Sequence, residues 1–211
     1  MYRQRTSSVI RFVAAVALPF TAVACGSAAS TVPPVDSSVE RTTASYGTPT
    51  PALETLTQTL TAKAGGRSVR FPAGWMGADN LGILYVITSQ EANDRLLGLG
   101  RLNAGDVFIQ FSENSIFAGM TDDPAVHLPD NLKLLASGMG LTLPAPVEMT
   151  SAGRHGARID AQNEKLAMIA ISLKVRDDLF ADIIAYVPPG EQAAREKLIL
   201  AIVESLAYPA T

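Results

Sequence analysis

The stretch "GARIDAQNEKLAMIAISLKVRDDLFADIIAYVPPGEQAAREKLILAIVESLAY", Gly156 to Tyr208, decides the fold. It opens with three runs of strand character, Gly156 to Asn163, Leu166 to Arg176 and Leu179 to Val187. The breaks at Asn163-Glu164-Lys165 and Asp177-Asp178 are short enough for hairpins, so the three runs form an antiparallel meander. After Pro188-Pro189 the period changes to that of a helix running from Gly190 to Tyr208. Leu198, Ile202 and Leu206 lie on one stripe, and Ile199 and Val203 widen it. A helix with such a face must bury it on the meander, which makes an α+β layered domain.

Working toward the N-terminus, "TLTQTLTAK" (Thr55 to Lys63) alternates Leu and Thr, Gly65-Gly66 offers a turn, and "RSVRF" (Arg67 to Phe71) returns as a hairpin. "LGILYVITS" (Leu81 to Ser89) is strand-like, and Ser89 caps a short helix over "QEANDRLLGLG". "DVFIQFS" (Asp106 to Ser112) is a further strand. A polar loop follows, then a helix over Pro129 to Leu141 with Asp130 as N-cap and Gly138 and Gly140 near its end. "LPAPVEM" leads back toward the sheet.

The first 53 residues differ in kind. Arg3, Arg5 and Arg11 precede an apolar run, "FVAAVALPFTAVA" (Phe12 to Ala24), the pattern of a secretory leader. At about 1.5 Å per residue the run spans roughly 20 Å as a helix, short of the ~30 Å hydrocarbon core. "AVAC" (Ala22 to Cys25) resembles the lipobox of bacterial lipoproteins, with Ala22 where that motif prefers Leu. The resemblance implies that Cys25 becomes the first mature residue and carries a diacylglycerol. The alternative is an ordinary leader cleaved near "AVA". A catalytic or core thiol fits poorly, because residues 25–53 are rich in Ser, Thr and Pro and cannot bury enough surface to fold around Cys25. The expected organisation is a leader over 1–24, a lipidated, disordered tether over 25–53, and an α+β binding domain over 54–211, held at the extracytoplasmic face of the cell membrane.

Composition narrows the function. Cys25 is the single cysteine, so no intrachain disulfide forms. Net charge is −3 and becomes −6 once the leader's three arginines are gone, which gives no basic footprint for nucleic acid.

"VRFPAGW" (Val69 to Trp75), together with the three terminal strands and the helix closing on "IVESLAY", resembles the PsbP/Mog1-like α/β/α sandwich over roughly Thr55 to Tyr208. That superfamily consists mostly of non-enzymatic binding or assembly modules. The resemblance therefore implies a binding module, carries over no functional residue, and gives no support for a photosystem role.

Among residues with chemistry, the domain's two histidines, His127 in a loop and His155 at a strand start, show no spacing that joins them. With no cysteine in the domain a His/Cys zinc site is excluded. No nucleophile elbow, P-loop or zinc-protease motif occurs. "GLGRLNAG" (Gly98 to Gly105) lacks the third glycine of a dinucleotide loop and follows a helix, so it is a helix stop. The pairs Asp122-Asp123 and Asp177-Asp178 are expected to face water from turns. No catalytic residue, metal or cofactor is assigned. Trp75, Ile116, Phe117 and Met120 are candidates for partner contact, against the plainer reading that Trp75 is core and the others fold under their loop. The expected partners are the membrane, through Cys25, and a protein or a small ligand between helix and sheet. The rival function is a cell-envelope hydrolase built on a histidine or carboxylate pair.

Overall fold

The computed structural model describes residues 55–117 and 120–209; the leader, the tether and Cys25 lie outside them. Twelve elements follow one another: strands β1 (Leu56–Thr61), β2 (Ser68–Pro72), β3 (Met76–Asn80) and β4 (Ile83–Ile87), helix α1 (Gln90–Leu97), β5 (Phe108–Ser115), helix α2 (Pro124–Met139), β6 (Val147–Ser151), β7 (Arg154–Gln162), β8 (Ala167–Arg176), β9 (Leu179–Val187) and helix α3 (Gln192–Glu204). Seven strands form one sheet in the order β3-β4-β5-β9-β8-β7-β6, and β1 and β2 form a separate hairpin. All pairings are antiparallel.

The sheet has a core on each face. On one side α3 and the β1–β2 hairpin pack through Leu198, Ile199, Ile202, Val203, Val69 and Phe71 onto Ile109, Phe111, Ile171 and Ile183. On the other, α1 and α2 pack through Leu96, Leu128, Leu132 and Ala136 onto Phe108, Ile159, Met168 and Tyr186. Each Val, Leu, Ile, Phe or Met side chain among them contributes about 1.5–3 kcal/mol on burial. β9 sits at the centre and is buried at all nine positions, which is why it reads as an apolar run broken only by Asp182. Gly156 allows β7 to approach β8 closely, since a Cβ there would lie 2.5 Å from the Ser172 carbonyl oxygen.

The α+β layered expectation holds, and so do the terminal meander, the first hairpin and the Ser89 cap, whose side chain accepts from the Ala92 amide at 3.1 Å. Four details change. Helix α2 begins at Pro124, with Asp123 as N-cap, and Pro129 lies inside it. The proline that resembled a start is in the helix interior, while Asp-Pro at 123–124 supplies cap and first residue. His127 consequently sits on a helix rather than in a loop. The strand expected from Leu81 begins at Ile83, because Leu81 and Gly82 form the turn after the unexpected strand β3 (φ 53° and 85°). Last, α3 stops at Glu204, and Ala207 pairs with Ser68 instead.

Two ends of the sheet matter below. The chain enters at Leu56, opposite Pro72, and this entry end carries Trp75, the start of α1 and the Asn163–Lys165 turn. The far end carries the Leu81-Gly82 turn, the exit of β5, the Asp177-Asp178 turn and the start of α2.

Candidate functional site

Helix α2 crosses the sheet beginning at the far end and covers a polar cluster. β9 interrupts its apolar run once, at Asp182, which is 1% exposed. Antiparallel register places Ser112 of β5 and Ser172 of β8 beside Asp182 on the same face. One carboxylate oxygen, Oδ2, accepts from Asn114 Nδ2 at 2.5 Å, Asn131 Nδ2 at 2.8 Å and His127 Nε2 at 2.9 Å. Since a carboxylate only accepts, the His127 proton on this bond resides on Nε2. The imidazole stacks on Phe180, with ring centres 4.2 Å apart. Asp182 Oδ1 and the Ser172 hydroxyl are buried without a partner among the described residues.

Around this cluster the far end is held by ion pairs. Lys174 Nζ lies 2.9 Å from Asp122, and its ammonium holds that carboxyl below the usual range while its own acidity falls in return. On the opposite face the buried Arg67 guanidinium donates to the Gly82 carbonyl and meets Glu113 at 2.6 Å. Burial pushes the neighbouring Tyr208 phenol up, and Glu113 adds to that shift. Arg67 thus ties the β3–β4 turn to the exit of β5.

The apolar candidates fall into two places. Trp75 is half-buried at the entry end, packed on the α3-side core. Ile116 is half-buried at the far end, where its amide donates to the Asp178 carbonyl at 2.8 Å. Phe117 and Met120 stand beside it, 67% and 54% exposed, so they do not fold under the loop. The far end also exposes Leu81, at 98%, and Val126 in the first turn of α2. These two were missed, and the tight turn before Gly82 was the available signal for Leu81. The His127–Asp182 pair was missed too. A lone Asp inside an apolar strand was the clue, since a buried carboxylate needs donors.

Of the remaining residues, His155 is exposed on β7 opposite Thr150, away from His127's partners. Asp123 caps α2, and Asp178 lies 3.3 Å from Arg176. Gly98 ends α1, as the helix-stop reading of its segment requires. Among the described residues no group of three or more His, Cys, Asp or Glu side chains is placed to hold a metal ion, and no helix is long and apolar enough to cross a membrane.

Among the described residues, two clefts lie against the sheet. One, of about 330 Å³, lies between β3 and α1; the other, of about 530 Å³, lies between β6, β7 and the start of α3. Neither is lined by His127 or Asp182.

A seven-stranded antiparallel sheet with two helices on one face and a helix and hairpin on the other is the PsbP/Mog1-like sandwich. The chain is similar in structure to cyanobacterial PsbP (CyanoP) from Synechocystis, at 12% identity over 72% of this chain and 92% of that one, TM-score 0.50. It is similar likewise to the Saccharomyces cerevisiae Ran-binding protein Mog1p, at 10% identity over 73% and 96%, TM-score 0.51. LpqN of Mycobacterium tuberculosis, described as involved in cell envelope biogenesis, aligns at 14% identity over 72% and 91%, TM-score 0.46. No family model and no curated protein matches the sequence.

Proposed function

We propose that this chain is an extracytoplasmic lipoprotein, held to the cell membrane by a diacylglycerol on Cys25, whose folded domain is a non-catalytic module that binds a protein partner through its far end. The observation that carries the binding reading is that four exposed apolar side chains, Leu81, Phe117, Met120 and Val126, all lie at this end of the sheet, where Arg67 and Lys174 hold the frame. Exposed apolar side chains clustered in a polar rim suit a partner. The fold is shared with a Ran-binding protein, which supports the reading by analogy of fold alone. The first described strand begins at Leu56, at the opposite end of the sheet.

The hydrolase reading has one observation in its favour, the His127–Asp182 pair. Against it, no hydroxyl or thiol among the described residues hydrogen-bonds to His127, so the geometry supplies an oriented imidazole without a nucleophile. The cluster instead ties α2 and β5 to β9.

Two experiments test the proposal. A photo-crosslinking side chain at Phe117 is expected to capture a defined partner in membranes, and Leu81→Asp to abolish the capture; an identical pattern from an exposed site such as Asp160 would refute it. Labelled palmitate is expected in the wild type, and Cys25→Ala to be unlabelled and left in the uncleaved, membrane-bound precursor. Label in the Cys25→Ala protein would refute lipidation there.

A further inference from the structure

We propose that the outer edge of β3, with the cleft between β3 and α1, receives an extended, uncharged or basic segment of a partner protein that adds to the sheet as a further strand. This surface lies along one side of the sheet and does not depend on the far-end reading.

The two-residue turn at Leu81-Gly82 sets Asn80 opposite Ile83 as a bonded pair, and the alternation continues through Ala78 and Met76. Gly77 and Asp79 therefore turn their N–H and C=O groups outward, and none of these groups is hydrogen-bonded among the described residues. Two donor-acceptor sets spaced about 7 Å apart match alternate residues of an extended chain. Phe71 and Leu60 of the hairpin lie against Gly77 on the α3-side face, and Gly77 and Ala78 remain exposed.

Open edges are normally guarded by Lys, Pro or inward charges. The opposite edge, β6, follows Pro144 and Pro146 and exposes Glu148. β3 reads Met-Gly-Ala-Asp-Asn, and its one charge is occupied: Asp79 accepts from the amides of Lys63 at 2.6 Å and Gly82 at 3.0 Å. Of the two edges, β3 is the one left ready for pairing.

The cleft beside it supplies the side-chain half of the site. Ala78 and Tyr85 face Gln90, Asn93 and Leu97, which lie along one flank of α1. No charged residue lines it. Every second side chain of an added strand points into this space, so those residues are apolar or neutral. Outside it stand the exposed carboxylates of Glu91 and Asp94 on α1, which disfavour an acidic segment and favour Lys or Arg.

The test is selection of random twelve-residue peptides on the full chain in detergent, alongside tiled peptides covering residues 26–54. Selected sequences are expected to alternate apolar residues and to lack Asp and Glu. Ala78→Lys and Leu97→Lys fill or charge the cleft at exposed positions, and circular dichroism is expected to show both folded. Each is expected to weaken binding at least about tenfold. Bound peptide is expected to slow amide exchange of Gly77 and Asp79 at least about tenfold, and a version N-methylated at alternate residues to slow neither. Binders that tolerate both lysines, or leave the two amides unprotected, would overturn the proposal. Retention of only the 26–54 peptides would also overturn it, by assigning the edge to the chain's own N-terminal segment, as would recovery of no peptide at all.

Discussion

Replacing Asp182 with alanine tests whether the cluster under α2 is a structural tie. The Oδ2 atom accepts three hydrogen bonds, from Asn114, Asn131 and His127. Bonds to a charged acceptor contribute about 1.5–3 kcal/mol each, so the gross interaction is roughly 5–9 kcal/mol. Burying the carboxylate with Oδ1 unpartnered costs several kcal/mol of that. In the variant Asn131 is exposed and regains water, while the half-buried His127 and Asn114 lose their partner at up to about 1–3 kcal/mol each. Adding the lost contact across α2, β5 and β9 gives an expected destabilisation of about 3–5 kcal/mol, typical of breaking a buried pair. Urea unfolding followed by circular dichroism measures it. A double-mutant cycle with His127→Ala should return a coupling of about 1–3 kcal/mol. A loss below about 1 kcal/mol for Asp182→Ala, or no coupling, would refute the tie and return the pair to the hydrolase reading.

The other outcomes concern the frame. Leu132→Ala on the buried face of α2 is expected to cost about 2–5 kcal/mol, and Leu134→Ala on the 88%-exposed face to stay within about 0.5 kcal/mol, both by urea midpoint. Gly156→Ala forces a Cβ against the Ser172 carbonyl and is expected to cost about 1–3 kcal/mol, lowering Tm by roughly 2–4 °C per kcal/mol. Burial pushes the Asp106 carboxyl up, but its paired bonds from Arg95, at 2.7 and 2.8 Å, and the Asn103 amide outweigh this and hold it below the usual range. Its contribution is therefore complete above about pH 4 and is lost as pH falls through the lower folded value. The stability gap between wild type and Asp106→Asn should narrow on acidification below pH 4.

The legible parts of the fold are those whose burial imposes a pattern. β8 and β9 are covered on both faces and read as apolar runs, and the C-terminal stripe reads directly because Leu198, Ile199, Ile202 and Val203 of α3, and Leu206 just beyond it, are all buried. β3 carries no such mark: it is an exposed edge of small and polar residues, paired only through its turn with β4. Helix α2 was misplaced because Pro129, which lacks an N–H, reads as a first residue, whereas packing of Leu128 and Leu132 carries the helix through it. The candidate site was half legible. Phe117 and Met120 stood out as apolar residues in a polar loop, but His127 and Asp182 are 55 positions apart and meet only through the sheet.

Leu81 offers the sharpest link between stability and function. It sits in the left-handed region at φ 53°, where a side chain other than Gly, Asn or Asp costs roughly 1–2 kcal/mol. At 98% exposure it recovers nothing by packing, and Arg67 holds the following carbonyl so that the turn cannot relax. Asn-Gly is the preferred pair for such a turn, so Leu81→Asn is expected to stabilise the domain by about 1 kcal/mol. On the proposed function, a residue that weakens its own turn and projects fully into water is one that the partner buries. The same substitution should then weaken crosslinking from Phe117 even as the urea midpoint rises. A higher midpoint with unchanged capture would remove Leu81 from the interface, and a lower midpoint would show that the leucine packs against its own domain after all.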